Sequence, residues 1–249
     1  MGIIIKSERE IAIMRQAGRI VASVLDILVG KIRAGMKTKE LDVIAEKEVR
    51  DMGGIPSFKG YQGFPASLCV SINDEIVHGI PGERIIKEGD IVSLDFGAIY
   101  QGYQGDAAVT VGIGEVSPLA TKLMEATKGA LAAGISAARA GSRLSDLSAA
   151  IQGYAESRGF SVVREYTGHG IGRKMHEEPQ VLNFGVPGQG PVLKRGMTLA
   201  LEPMLNAGDW HTRVGDDNWV VLTTDSKLSA HFEHTIAITD DAPETLTVL

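Results

Sequence analysis

One cysteine, Cys69, is all that the 249-residue chain contains, which excludes an internal disulfide framework and fits a reducing compartment. No block of Lys or Arg stands anywhere along the chain and the net charge is −6. A nucleic-acid groove is therefore excluded as the main surface. No apolar run approaches the ~18 residues that a membrane helix needs. The opening Met1-Gly2-Ile3-Ile4-Ile5-Lys6 is too short an apolar stretch for a signal-peptide core. Lys6 also stands where an N-myristoylation pattern wants Ser or Thr. Linkers and low-complexity tracts are missing as well. These absences lead us to expect a soluble, cytoplasmic protein without a membrane partner. Hydrophobic residues make up 44% of the chain, ample for a core, and the length allows one large domain or two small ones.

What the chain does contain is a duplication. Lys87-Glu88-Gly89-Asp90-Ile91-Val92-Ser93-Leu94-Asp95 matches Lys194-Arg195-Gly196-Met197-Thr198-Leu199-Ala200-Leu201-Glu202, and in both a glycine turn feeds a short strand that ends on an acid. Upstream, Arg33-Ala34-Gly35 matches Arg139-Ala140-Gly141 and Gly53 matches Gly159, at shifts of 106 to 107 residues. The chain is read as a single domain of α+β class over residues 1–249. Its pseudo-twofold halves, about 7–115 and 117–240, each carry a helix-helix-strand unit.

Ser7 followed by Glu10 is a capping box, and Ile11, Met14, Val21, Val24, Leu25 and Leu28 repeat at helical spacing up to Gly30. A second helix is expected from about Thr38 to a stop at Gly53-Gly54. Two more are expected, one from Ser117-Pro118 to about Arg139 and one from about Leu144 to Arg158. Strand-rich stretches fall near 66–72, 76–80, 90–96, 106–112, 197–205, 218–224 and 230–239, and 185–191 reads as a surface loop. Side chains alternate faces along a strand. Asp95 therefore shares a face with Ser93, Asp106 with Ala108 and Thr110, Glu202 with Thr198 and Ala200, and Glu233 with Ser229, His231 and Thr235. In all four strands the bulky apolar residues look the other way. The pattern predicts helices packed outside a curved antiparallel sheet whose concave face collects carboxylates.

Four carboxylates in one hollow repel each other, and two divalent cations would cancel the charge. His169, in Gly168-His169-Gly170-Ile171-Gly172, is a fifth candidate ligand, its glycines allowing backbone to approach a metal. One imidazole with four carboxylates suits Mn, Fe, Co or Zn rather than a structural thiolate zinc. Two such ions roughly 3.5–4 Å apart can share a hydroxide.

Asp95, Asp106, His169, Glu202 and Glu233 resemble, in order and context, the ligands of the type I methionine aminopeptidases. The surrounding segments resemble that family too: Tyr61-Gln62-Gly63-Phe64-Pro65 through Asn73, Val77-His78-Gly79-Ile80-Pro81, Leu94-Asp95-Phe96-Gly97, Glu202-Pro203 and Phe232-Glu233-His234-Thr235. The likeness spans essentially the whole chain. It implies the pita-bread fold, two divalent metal ions, and removal of initiator methionine from new chains when the second residue is small. Asp95 would hold one metal, His169 with Glu202 the other, and Asp106 and Glu233 would bridge them. A hydroxide between the metals would attack the scissile carbonyl, with Glu202 as proton shuttle. His78 and His176 would donate to the substrate amide and the developing oxyanion. Tyr61, Phe64, Cys69, His78, His176 and Trp219 would line the methionine pocket, apolar and sulfur walls suiting a thioether. Further implications are a nascent-chain substrate, transient contact with the ribosome and a monomer. Met175 and Phe58 depart from the commonest pattern near the pocket, and the N-terminal zinc-binding extension of longer eukaryotic forms is lacking.

Plainer readings stand beside these. A lone acid near a strand end is usually a solvated charge; four in register across a duplication are not. Tyr61 and Phe64 can be packing, and Cys69 a small structural hydrophobe. His231 is either a neighbour of the ligands or a surface residue, His234 falls on the apolar phase as buried structure, and His211 has nothing beyond its residue type. Leu94-Asp95-Phe96-Gly97 mimics a kinase motif, but no phosphate-binding glycine loop precedes it. A proline-directed peptidase of the same fold would share the ligands but usually carries an additional N-terminal domain. A non-catalytic binding module on this scaffold would lack some ligands, and a dinuclear phosphoesterase would want a cationic clamp.

Overall fold

The computed structural model describes residues 2–249. Helix α1 (Glu8–Lys31) begins where Ser7 and Glu10 cap each other: the Ser7 hydroxyl accepts from the Glu10 amide, and the Glu10 carboxylate accepts from the Ser7 amide at 2.8 Å. The other helices are α2 (Thr38–Asp51), α3 (Pro118–Ala137) and α4 (Leu144–Glu156), all close to the bounds their periodicity predicts. α2 and α4 start in the same way. The Glu40 carboxylate accepts from the Lys37 amide and the Asp146 carboxylate from the Arg143 amide, both at 2.7 Å. Gly35 and Gly141 have φ of 88° and 91°, and Gly53 and Gly159 of 78° and 82°. Lys37 bridges to Ile85 as Arg143 bridges to Val192. The duplication in the sequence is thus repeated in backbone geometry.

The strands are β1 (Ile55–Pro56), β2 (Cys69–Ile72), β3 (Glu75–Val77), β4 (Ile91–Tyr100), β5 (Tyr103–Gly112), β6 (Ser161–Val162), β7 (Gly168–Gly170), β8 (Glu177–Val181), β9 (Thr198–Leu201), β10 (Met204–Asn206), β11 (Thr212–Val214), β12 (Val221–Thr223), β13 (Ser229–His231), β14 (Glu233–Ala237) and β15 (Glu244–Thr245). Nine of them form one sheet in the order β1-β4-β5-β14-β9-β7-β8, with β2 on β4 and β15 on β14; β13-β10-β6 and β11-β12-β3 form two smaller sheets. Every ladder is antiparallel.

Helices cover the side of the sheet away from the acids. Val92, Leu94, Phe96 and Ala107 pack with Val21, Val24, Leu28, Leu41 and Val49 of α1 and α2. Met197, Leu199, Leu201 and Ile236 pack with Leu123, Leu131, Leu147 and Ile151 of α3 and α4. Each such side chain, fully buried, contributes about 1.5–3 kcal/mol, so the apolar phase of each strand decides which face the acids must take. Among the described residues no helix is long and apolar enough to cross a membrane.

Three sequence expectations are corrected. The stretch 197–205 is two strands, because Pro203 lacks the amide that a continuing ladder needs; Glu202 therefore sits at the break and not within a strand. The stretch 230–239 likewise divides at Phe232. Third, Gly168 and Gly170, expected to let backbone approach a metal, lie in β7 and face the backbone of neighbouring strands. A Cβ at Gly168 would stand 2.3 Å from the Ala200 carbonyl oxygen, and one at Gly170 2.2 Å from that of Glu178. Strand-to-strand packing, rather than access to an ion, demands glycine there.

Candidate metal centre and active site

Register explains how residues far apart in sequence meet. Ala108 of β5 is opposite Asp95 of β4 on one side and Glu233 of β14 on the other. Asp106 lies two residues along β5, on the same face. On the far side of β14, His234 pairs with Leu201, so Glu202 follows beside Glu233. His169 of β7 pairs with Ala200 of β9. Four acids and one imidazole thereby occupy neighbouring rows, with the small Ala108 and Ala200 between them leaving room.

Ligand atoms of Asp106, His169 and Glu233 lie within 4.8 Å of one another. His169 Nε2 is 3.6 Å from Glu202 Oε1. His169 Nδ1 donates to the Gly170 carbonyl at 2.9 Å, which turns Nε2, as the lone-pair nitrogen, toward the acids. Asp106 and Glu233 are buried; Asp95 and Glu202 keep a sliver of exposure toward the cavity. Asp95 Oδ1, Asp106 Oδ1 and Glu233 Oε1 are buried with no hydrogen-bond partner among the described residues, and no Lys or Arg lines the cavity.

Electrostatics follow from that isolation. Burial pushes Asp95 up to about 7. Asp106 is pushed well above the usual carboxylate range by burial and then by the Asp95 charge. Glu202 rises through burial and the charges of Asp95 and Asp106. Glu233 rises through burial and the charges of Asp106, Glu202 and Asp95. His169 is driven down to about 3 by burial and then by His176. A site of neutral imidazole and unpartnered carboxyls is suited to divalent cations, which supply the missing positive charge.

These groups face a cavity of about 160 Å³. It is lined by Tyr61, Phe64, Cys69, His78, His176 and Trp219, all six pocket residues expected from sequence, together with the four acids and His169. Phe64 meets Trp219 edge-on at 5.1 Å, and Cys69 is buried, paired in register with Asp95. His78 has φ of 62°, in the left-handed region that a non-glycine residue rarely adopts. It meets Tyr166 edge-on at 5.8 Å, and burial then His176 lower its pKa to about 4. The His176 ring is 4.3 Å from that of His169, and burial lowers its pKa too. Both histidines are neutral donors near neutral pH.

Phe58 and Met175, the two departures expected near the pocket, line the cavity, as does Gln62, which the sequence offered no reason to place there. A Cβ at Gly97 would come within 2.9 Å of both Phe58 Cε1 and Met175 Cε. The departures noted at these two positions therefore lie in the cavity wall. Of the remaining histidines, His231 is 1% exposed, with Nε2 3.9 Å from Glu233 Oε2, which removes the surface reading. His234 is half-buried, Nδ1 2.8 Å from the Thr247 hydroxyl. His211 is exposed, stacked on Trp210 at 3.8 Å and 2.9 Å from Asp209, outside the site.

Residues 12–240 match metallopeptidase family M24. Methionine aminopeptidase 1 of Bacillus subtilis is 54% identical over 98% of this chain and 99% of its own length. The crystal structure of methionine aminopeptidase from Thermotoga maritima superposes with a TM-score of 0.98 at 44% identity, covering all of both chains. A prolidase from Pyrococcus furiosus shares the fold, with a TM-score of 0.81 at 22% identity over 99% of this chain and 66% of its own. The architecture is the pita-bread α+β fold common to these proteins. A centre built from paired acids on duplicated halves and a full-length likeness at this identity agree: the chain belongs to metallopeptidase family M24, within its methionine aminopeptidase branch.

Proposed function

We propose that this enzyme removes the N-terminal methionine of new polypeptides when the second residue is small. The observation that carries the reading is the set of buried carboxylates without a protein cation, gathered with one imidazole beside an apolar cavity. Asp95 would hold one divalent ion, His169 with Glu202 a second, and Asp106 and Glu233 both, the donor set suiting Mn, Fe, Co or Zn. Such ions supply Lewis-acid charge and make water a nucleophile at neutral pH.

The remaining work belongs to side chains. Phe64, Cys69 and Trp219 receive the methionine thioether, with Tyr61 at the rim. His78 donates to the substrate amide and His176 to the oxygen on which negative charge develops, a contact typically worth about 2.7–4 kcal/mol. Glu202, at the strand break where its carboxylate keeps some exposure, passes the proton to the leaving amine. The helix pairs of residues 7–115 and 117–240 are read as equivalent halves of one catalytic domain spanning 1–249. An initiator residue is removed where chains are made. That is the reason for proposing a cytoplasmic enzyme in transient contact with the ribosome, and the family likeness is the reason for proposing a monomer.

The test is a Met-Ala-Ser peptide incubated with protein loaded with each metal in turn. Free methionine should appear and a chelator should stop it. Release with none of the four metals would reject the reading, and release only from X-Pro peptides would give the site to a proline-directed peptidase.

A further inference from the structure

We infer that Tyr61 is a positioning residue as well as a wall: its phenol donates to Nδ1 of His176 and holds that imidazole as the tautomer whose proton is on Nε2. The inference deepens the proposed function and rests on it for the role of His176. Tyr61 Oη and His176 Nδ1 are 2.7 Å apart, with the rings tilted at 5.5 Å. A neutral imidazole has one donor and one acceptor nitrogen, and a partner on one sets the state of the other. Between two neutral groups, a phenol O–H is a stronger donor than an imidazole N–H, and an imidazole nitrogen a stronger acceptor than a phenol oxygen, so we assign the bond as O–H···N with the phenol donating. Nδ1 is then the acceptor, and Nε2–H is the ring's one donor available to substrate. The opposite tautomer would offer the developing negative charge a lone pair.

Both ends of the bond are mounted on constrained backbone. Tyr61 opens a tight turn in which Gly60, Gln62 and Gly63 have φ of 85°, 49° and 92°. That turn is closed by Tyr61 N to Phe58 O at 2.9 Å, Phe64 N to Tyr61 O at 2.9 Å and Gly60 N to Phe64 O at 2.8 Å. Phe64, buried against Trp219, anchors it. On the other side, Glu177 directly follows His176 and is held at 2.7 Å by Lys6, both side chains almost wholly buried. A rim residue that served only as an apolar wall would need neither its hydroxyl nor this fixed approach.

Tyr61→Phe keeps the ring and deletes the hydroxyl. Nitrogen-15 NMR of the zinc-loaded protein should show His176 with a proton on Nε2 and an acceptor Nδ1, and a mixture of tautomers in Tyr61→Phe. With the Met-Ala-Ser peptide, kcat should fall about 10- to 100-fold while KM stays within about twofold, since only the oxyanion contact is disturbed. A proton on Nδ1 in the unaltered protein, an unchanged tautomer in Tyr61→Phe, or a loss confined to KM would overturn the assignment. The NMR arm reads the tautomer whether or not methionine is released, so failure of the peptidase reading and failure of this one are told apart.

Discussion

Thr235 and Asp106 exchange two hydrogen bonds through one hydroxyl: Thr235 Oγ1 donates to the Asp106 carbonyl at 2.8 Å and accepts from the Asp106 amide at 3.0 Å. Thr110 repeats the arrangement in the other direction, donating to the His231 carbonyl at 2.7 Å and accepting from the His231 amide at 2.9 Å. The two hydroxyls bracket the short stretch where β5 and β14 pair directly, Glu233 on Ala108 and His234 on Ala107. The strands that carry Asp106 and Glu233 are held together at these points by side chains where ladder bonds run out.

Thr235→Val preserves the shape and removes both bonds, leaving a buried amide and carbonyl unpaired. We expect a loss of about 1–3 kcal/mol in urea unfolding and weaker manganese binding, with Thr235→Ser close to the unaltered protein. Equal stability of the valine variant would show that the hydroxyl is dispensable.

The Lys6–Glu177 pair is buried, so its two partners do not contribute independently. Lys6→Met strands the Glu177 carboxylate and should destabilise by about 3–5 kcal/mol. Adding Glu177→Met should recover part of that loss, because the uncompensated charge goes with it. A double variant no more stable than Lys6→Met alone, measured in the same urea series, would contradict a paired charge.

Stability of the metal-free protein should depend on pH in a way that metal abolishes. The four raised carboxyls keep protons in the folded state that the unfolded chain releases, so their effect is a fall in stability as pH rises through their folded values. His169 and His231, lowered to about 3, and His78 and His234, lowered to about 4, act oppositely. Below 6.5 the unfolded chain takes up their protons, so stability rises with pH up to that value. The two slopes oppose each other up to about pH 6.5, and above it only the carboxyls remain. Calorimetry in chelator should show Tm falling from about pH 6.5 to about pH 8, and a divalent cation should remove the fall. A Tm that holds or climbs over that range in chelator would refute the assignment.

Glycines at two places should respond in opposite senses. Gly170→Ala places a methyl 2.2 Å from the Glu178 carbonyl oxygen, which forces β7 from β8 and moves His169. Metal affinity should drop at least tenfold, by titration calorimetry. Gly153→Ala, in α4 with nothing within 4 Å of the added methyl, should stabilise by about 0.4–1 kcal/mol. Tolerance of alanine at 170 would mean that the strand spacing there is slack.

Part of the site was legible because its signals are local. Ser7 and Glu10 announce α1 within four residues, and alternation in Val92-Ser93-Leu94-Asp95-Phe96 assigns Asp95 to a face before any partner strand is known. The offset between Asp95 and Glu202 marks them as counterparts. Other features have no local signal. β7 is three residues long, too short for a period, and its glycines answer to carbonyls of Ala200 and Glu178. Burial of His231 depends on strands from both halves. Met175 and Phe58 become neighbours only across Gly97, and the Tyr61–His176 bond joins positions 115 apart.

The amino-acid order alone determined the repeated architecture, the face each acid takes and the kinds of group brought to the centre, since these follow from period, capping and pairing of polar with apolar positions along short stretches. Tertiary structure decided which side chains touch: the rows joining Asp95, Ala108 and Glu233, the partner that orients His176, and the shape of the cavity wall. Those contacts are set by register and backbone spacing between distant strands, quantities that no single segment encodes.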